Sequence, residues 1–195
     1  MVSLLCTSRS GSTNLSYYLS KVLEMKFIQS PFSVERGLSY LKKGNFYKLF
    51  IHHQPISYDN LFGYGERIVK ISDKTILYDR RSKIEQSVSL AFKKRKYGKN
   101  FNLYHIREVY DFKKLNVKQI QECQEHFENH SKALTDISEK YNLPIFYYED
   151  IFYGDGLQKL SDYLEIDINK DLQKKYLDTS LKTRLFSENL KETLI

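Results

Sequence analysis

Apolar residues recur along this chain with two different periods, and the alternation between those periods is the first guide to its architecture. The run Val2-Ser3-Leu4-Leu5-Cys6 reads as a buried strand. Behind it, Leu15, Tyr18, Leu19, Val22 and Leu23 fall at the three- and four-residue spacing of one helix face. Lys48-Leu49-Phe50-Ile51-His52-His53 predicts a second strand that ends before Gln54-Pro55, and Thr75 to Asp79 a third. Pro144-Ile145-Phe146-Tyr147-Tyr148 predicts a fourth, ahead of the acidic pair Glu149-Asp150. Asn116 caps a long helix through about Tyr141, with Val117, Ile120, Phe127, Leu134 and Ile137 as its apolar stripe. Residues 55–74 are rich in Gly and Tyr without a clear period and read as loop. Strands alternating with helices predict an α/β fold with a parallel, helix-covered sheet.

The junction between the first strand and the first helix is Ser8-Arg9-Ser10-Gly11-Ser12-Thr13. Small residues let the backbone wrap closely around a tetrahedral anion, and the first N–H groups of the following helix point into that concavity. Arg9 adds a fixed charge. A nucleoside-triphosphate loop needs Gly-x-x-x-x-Gly-Lys-Ser/Thr; with one glycine and no Gly-Lys, ordinary ATP or GTP binding is disfavoured. Taken alone, small polar residues at this position are more often only helix caps.

A second strand-to-helix junction, Tyr78-Asp79-Arg80-Arg81-Ser82-Lys83-Ile84-Glu85-Gln86-Ser87-Val88-Ser89, changes that balance. Ser82 and Glu85 form a capping box that fixes the helix start, so Arg81 stands at the carboxyl end of a strand, where open α/β sheets bind their ligands. Paired arginines oppose the positive end of a helix dipole, and a bound anion would remove the conflict.

With both junctions in view, the chain resembles the sulfotransferases that use 3′-phosphoadenosine 5′-phosphosulfate (PAPS). In that family a Lys/Arg-Ser-Gly-Ser/Thr-Thr loop holds the 5′-phosphosulfate, and Ser8, Arg9, Ser10, Gly11, Ser12 and Thr13 match it. An arginine followed eight residues later by a serine contacts the 3′-phosphate, a spacing that Arg81 and Ser89 share. The segment from Arg80 to Leu90 is most similar to the corresponding Arg-Arg-Asp-Lys-x-x-Gln-Ala-x-Ser of bacterial trehalose sulfotransferases. Tyr147-Tyr148-Glu149-Asp150 resembles a Tyr-Glu-Asp turn found late in these domains, and Lys182 and Arg184 lie where family members return a basic loop to the nucleotide. The resemblance implies a three-layer, P-loop-like domain over residues 1–195, PAPS as sulfuryl donor, no metal, and a hydroxyl acceptor that is a carbohydrate or glycolipid.

Sulfuryl transfer to a hydroxyl needs a base. Phe50-Ile51-His52-His53-Gln54-Pro55 is similar to the Lys-Thr-His-Leu-Pro segment that carries the catalytic histidine of cytosolic sulfotransferases, with Ile51 in the lysine position. His53 is therefore the first candidate. Glu35, in Pro31-Phe32-Ser33-Val34-Glu35, is the alternative, because trehalose-type enzymes use a glutamate soon after the first helix. Arg9 is assigned charge stabilisation, since a guanidinium does not readily give up its proton.

Composition is compatible with this reading. The net charge of +7 suits a multiply charged cofactor, and the basic run Lys93 to Lys99 reads as a solvated helix end with no nucleic-acid module beside it. Cys6 and Cys123 give neither a disulfide framework nor a metal-ligand pattern. With no signal peptide or membrane-spanning stretch read in the sequence, a cytoplasmic protein without a membrane anchor is expected. A P-loop-like kinase and a noncatalytic nucleotide- or polyanion-binding protein are the competing readings.

Overall fold

The structure is a computed structural model that describes residues 1–7, 10–29, 41–50, 58–97 and 117–178. These fall into two compact units, the first made of Met1–Arg81 and Glu128–Asp178 and the second lying within Ser82–Phe127. The 1–195 domain expected from the sequence spans both.

In the first unit five parallel strands, β1 (Val2–Cys6), β2 (Lys26–Gln29), β3 (Asn45–Phe50), β4 (Lys74–Asp79) and β5 (Ile145–Tyr147), form one sheet in the order β2-β3-β1-β4-β5. Leu4 lies opposite Lys48 of β3 and Ile76 of β4, so β1 is central. Such a strand has both faces buried, which is why its sequence is apolar apart from Ser3 and does not alternate. From β1 the chain turns outward through α1 (Ser12–Val22) to β2; from β3 it passes through α2 (Tyr58–Ile71) to β4 on the other side. Right-handed crossovers in opposite directions must lie on opposite faces. The packing obeys this. Leu15, Tyr18 and Leu19 of α1 are buried with Val2, Leu4, Cys6, Phe46, Ile76 and Tyr78, joined by Leu157 and Leu160 of α6 (Gly156–Leu164) and Leu177 of α7 (Lys170–Leu177). Leu61 and Ile68 of α2 are buried on the other face with Leu5, Tyr47, Leu49 and Leu77, together with Leu134 and Ile137 of α4 (Val117–Tyr141). A fully buried side chain of this size stabilises the fold by about 1.5–3 kcal/mol relative to exposure, so the two apolar layers hold the sheet from both sides. The three-layer α/β expectation holds.

Three local expectations need correction. The segment read as loop contains α2, because Leu61, Gly65 and Ile68 make a buried helical stripe. Its glycines lower helix propensity, but a Cβ on Gly65 would stand 2.2 Å from Ile137 Cδ1, so Ile137 of α4 occupies the space that a side chain there would take. The short β2 is an additional strand, and β3 begins at Asn45, which makes Lys48 an interior residue of the strand. Finally, Val117 is 66% exposed and takes no part in the helical stripe expected for it.

In the second unit, Leu90, Ala91, Cys123 and Phe127 are buried together, with Ile120 packed against them. They come from α3 (Lys83–Tyr97) and the first part of α4. The Glu85 N–H donates to Ser82 Oγ at 3.4 Å, one arm of the expected capping box. Among the described residues, no helix is long and apolar enough to cross a membrane.

Candidate anion-binding site

The carboxyl ends of neighbouring β1 and β3 feed α1 and α2 to opposite faces, which makes this the topological switch point at which open α/β sheets place ligands. Here the chain turns at Gly11, whose φ of 77° and ψ of 5° lie in the left-handed region. Glycine enters that region without strain, whereas an L side chain is resisted by about 1–2 kcal/mol. Gly11 is the N-cap of α1, and neither a side-chain cap nor an acidic residue occupies the first turn. The positive end of the helix is thus left without a carboxylate of its own helix.

The hydroxyls around this turn are mostly directed inward. Buried Ser10 donates from Oγ to the Thr7 carbonyl at 2.7 Å, and Ser16 to the Ser12 carbonyl at 2.7 Å. Thr13 differs, because its Oγ1 receives a 2.8 Å hydrogen bond from Lys48 Nζ. Lys48 is fully buried. Strand alternation sends Phe46 and Lys48 to the α1 face of β3, and Tyr47 and Leu49 to the α2 face.

Asp79, at the end of β4, is the buried ion of opposite sign. Thr7 Oγ1 donates to Oδ1 at 2.8 Å and Ser131 Oγ, from α4, to Oδ2 at 2.6 Å. The carboxylate therefore faces α4, across the sheet from Lys48. Cys6 lies between the two. Burial pushes its thiol up to about 11, with Lys48 and a Ser12 hydrogen bond working against that shift and Asp79 adding to it. Cys6 and Cys123 are both buried and neither is in a disulfide, consistent with packing roles.

Beyond β4, Arg80 and Arg81 meet Tyr147-Tyr148-Glu149-Asp150, where β5 gives way to α5 (Tyr148–Tyr153). Arg81 Nη1 and Nη2 donate to the two Asp150 carboxylate oxygens at 2.5 and 2.6 Å, while the Arg81 backbone N–H donates to Glu149 Oε2 at 3.0 Å. The Arg81 guanidinium holds the Asp150 carboxyl below its ordinary range, and is itself raised by that carboxylate. Its guanidinium also lies 4.3 Å from the Tyr147 ring centroid, and that of Arg80 4.7 Å from the Tyr148 ring centroid. The Tyr148 ring packs directly on Gly11: a Cβ there would be 2.6 Å from Cδ2 and Cε2. Tyr148 thereby joins the β1–α1 turn to the arginine pair.

No protein-family model matches this chain, and no curated protein matches it in sequence.

Of the residues expected at the site, Ser10, Gly11, Ser12 and Thr13 form the turn and opening of α1, and Arg81 stands in the same unit at the end of β4. Ser89 is buried on α3, in the second unit. Ser8, Arg9, Glu35, His52, His53, Lys182 and Arg184 lie outside the described residues, as do the side chains of the basic run. The argument that paired arginines demand an external anion is answered from within the chain, since Glu149 and Asp150 supply the counter-charge. Two residues escaped the sequence reading. Lys48 interrupts the apolar run Phe46-Tyr47-Lys48-Leu49, and a charge inside a strand buried on both faces is the signal that would have found it. Asp79 closes β4 with no such signal, because an acidic residue after a strand is ordinary turn chemistry.

Proposed function

We propose that this protein is a sulfotransferase that moves the sulfuryl group of PAPS to a hydroxyl acceptor, a carbohydrate or glycolipid. The observation that carries the reading is the β1–α1 turn: a left-handed Gly11, an α1 N-terminus with no acidic residue in its first turn, and a buried lysine on Thr13, all at the switch point of a parallel sheet. That turn fits a phosphosulfate, because backbone N–H groups and the helix dipole favour an anion there. The loop match from Ser8 to Thr13 selects PAPS among phosphate-bearing ligands.

In this reading the main-chain N–H groups of the turn hold the 5′-phosphosulfate and Arg9 stabilises charge on the moving group. His53 takes the proton of the acceptor hydroxyl, with Glu35 as the alternative base. The acceptor oxygen forms the new bond to sulfur as the bond from sulfur to the phosphate oxygen breaks, leaving 3′-phosphoadenosine 5′-phosphate. Arg81 receives the 3′-phosphate. Arg81 does so while shared with Asp150, which weakens its pull on a ligand.

That sharing favours a second reading, a noncatalytic module that binds one anionic group at the β1–α1 turn. Calorimetry with the bisphosphate product, AMP and inorganic sulfate, in the presence of a chelator, tests both. The sulfotransferase reading expects the bisphosphate to bind at least tenfold tighter than AMP, and labelled PAPS to transfer its label to a carbohydrate hydroxyl. Equal affinity for AMP and the bisphosphate, with no transfer to any hydroxyl acceptor, leaves the binding module.

A further inference from the structure

We infer that Lys48 is a positioning residue for the anion bound at the β1–α1 turn: it fixes Thr13 as a hydrogen-bond donor and supplies a positive charge from inside the protein. The inference rests on the reading above that this turn receives an anion.

An ammonium group has three N–H donors and no lone pair, so in the 2.8 Å contact the Thr13 oxygen must be the acceptor. Its own O–H proton is therefore directed away from Lys48. The serines nearby behave differently. Ser10 and Ser16 spend their protons on the carbonyls of Thr7 and Ser12, the usual local use of a hydroxyl beside a helix. Thr13 lies in the first turn of α1, which carries no acidic residue, at the end of the helix that attracts anions. A hydroxyl polarised by a cation behind it, at that end of the helix, is a donor for a sulfuryl or phosphoryl oxygen.

The position of the charge supports the same role. Burying an ammonium is costly, and the interior makes its field stronger than at the surface. Asp79, on the α4 face of β4, accepts from Thr7 and Ser131, and Cys6 of β1 responds to both charges. A lysine needed only to fill space would be replaced without loss by methionine, which has similar length and no desolvation cost.

The test uses the full chain, with inorganic sulfate and the 3′,5′-bisphosphate as probes in calorimetry. Lys48→Met and Thr13→Val are each expected to weaken both probes by tenfold or more. The double variant should lose less than the two single losses combined, because part of the Lys48 effect passes through Thr13, and Thr13→Ser should restore affinity to within about threefold. Wild-type affinity in either single variant overturns the inference, as does strict additivity in the double. If Lys48→Met fails to fold, nitrogen-15 NMR of the wild-type lysine side chains decides. The Lys48 resonance is expected at an ammonium shift, slowed in exchange by burial, and displaced by sulfate; a neutral amine or an unmoved signal refutes the role. The outcomes separate the two levels of the argument. Sulfate binding that depends on Lys48 without preference for the bisphosphate over AMP removes the sulfotransferase and keeps the lysine, and a bisphosphate preference indifferent to Lys48→Met does the reverse.

Discussion

The ends of β1 and β4 are neighbours in one sheet, both run toward a helix, and both carry positive charge, yet they resolve that charge in opposite ways. At β4 the chain supplies its own anions: Asp150 clamps Arg81 through two hydrogen bonds, Glu149 caps the Arg81 backbone, and aromatic rings cover the arginine pair. At β1 the first turn of α1 contains no carboxylate, and buried Lys48 reinforces the positive field through Thr13. Runs of basic residues at strand ends therefore do not identify a ligand site by themselves. What distinguishes the two among the described residues is that carboxylates of Glu149 and Asp150 meet the arginines at β4, whereas the first turn of α1 holds no acidic residue, and by that criterion β1 is the stronger candidate.

The most severe way to break the comparison is to remove the turn that makes β1 different. Gly11→Ala places a side chain in the left-handed region and drives its Cβ into the Tyr148 ring. A stability loss of about 1–3 kcal/mol is expected from urea unfolding, with a matching loss of sulfate affinity. Unchanged stability would show that the turn relaxes freely.

Asp150→Asn attacks the other end, and its effect should be smaller. Both partners are substantially exposed, Arg81 at 52% and Asp150 at 40%, so the ion pair is worth at most about 1 kcal/mol. Loss of the carboxylate should raise affinity for the 3′,5′-bisphosphate if Arg81 receives its 3′-phosphate, and leave affinity for inorganic sulfate unchanged. The pH dependence has a definite sign. Because Arg81 lowers the Asp150 carboxyl in the folded protein, the contribution is present above the unfolded value of about 3.9 and is lost as pH falls through the lower folded value. Unfolding free energies of wild type and Asp150→Asn should therefore differ at pH 6 and converge well below pH 4; a gap that persists there would mean the amide has disturbed something other than the ion pair.

The smallest expected effect concerns Cys6, behind the turn. With its thiol near 11 and fully buried, it should remain protonated at pH 8 and react with a thiol reagent only as fast as the first unit opens. Rapid labelling of the folded protein would show that the region between Lys48 and Asp79 is accessible.

Elements with a local signal were legible in the sequence alone. Largely apolar runs marked β1 and the interior of β4, a helical stripe marked α1, and Ser82 with Glu85 marked the start of α3, because burial on both faces, helical spacing and capping each leave a pattern within a few residues. The Ser8 to Thr13 motif located the turn, and Gly11 its reversal. The remainder depended on contacts between segments distant in the chain. α2 forms despite Gly63 and Gly65 because the second is where Ile137 of α4 comes closest, a contact 72 residues away in the chain that no window of sequence contains. Lys48 becomes part of the turn only when β3 pairs with β1, and Arg81 is neutralised only when β5 brings Asp150 beside β4. Charge is written in the sequence; which charges meet is set by strand order, since pairing across a parallel sheet joins residues whose separation along the chain carries no trace of their contact.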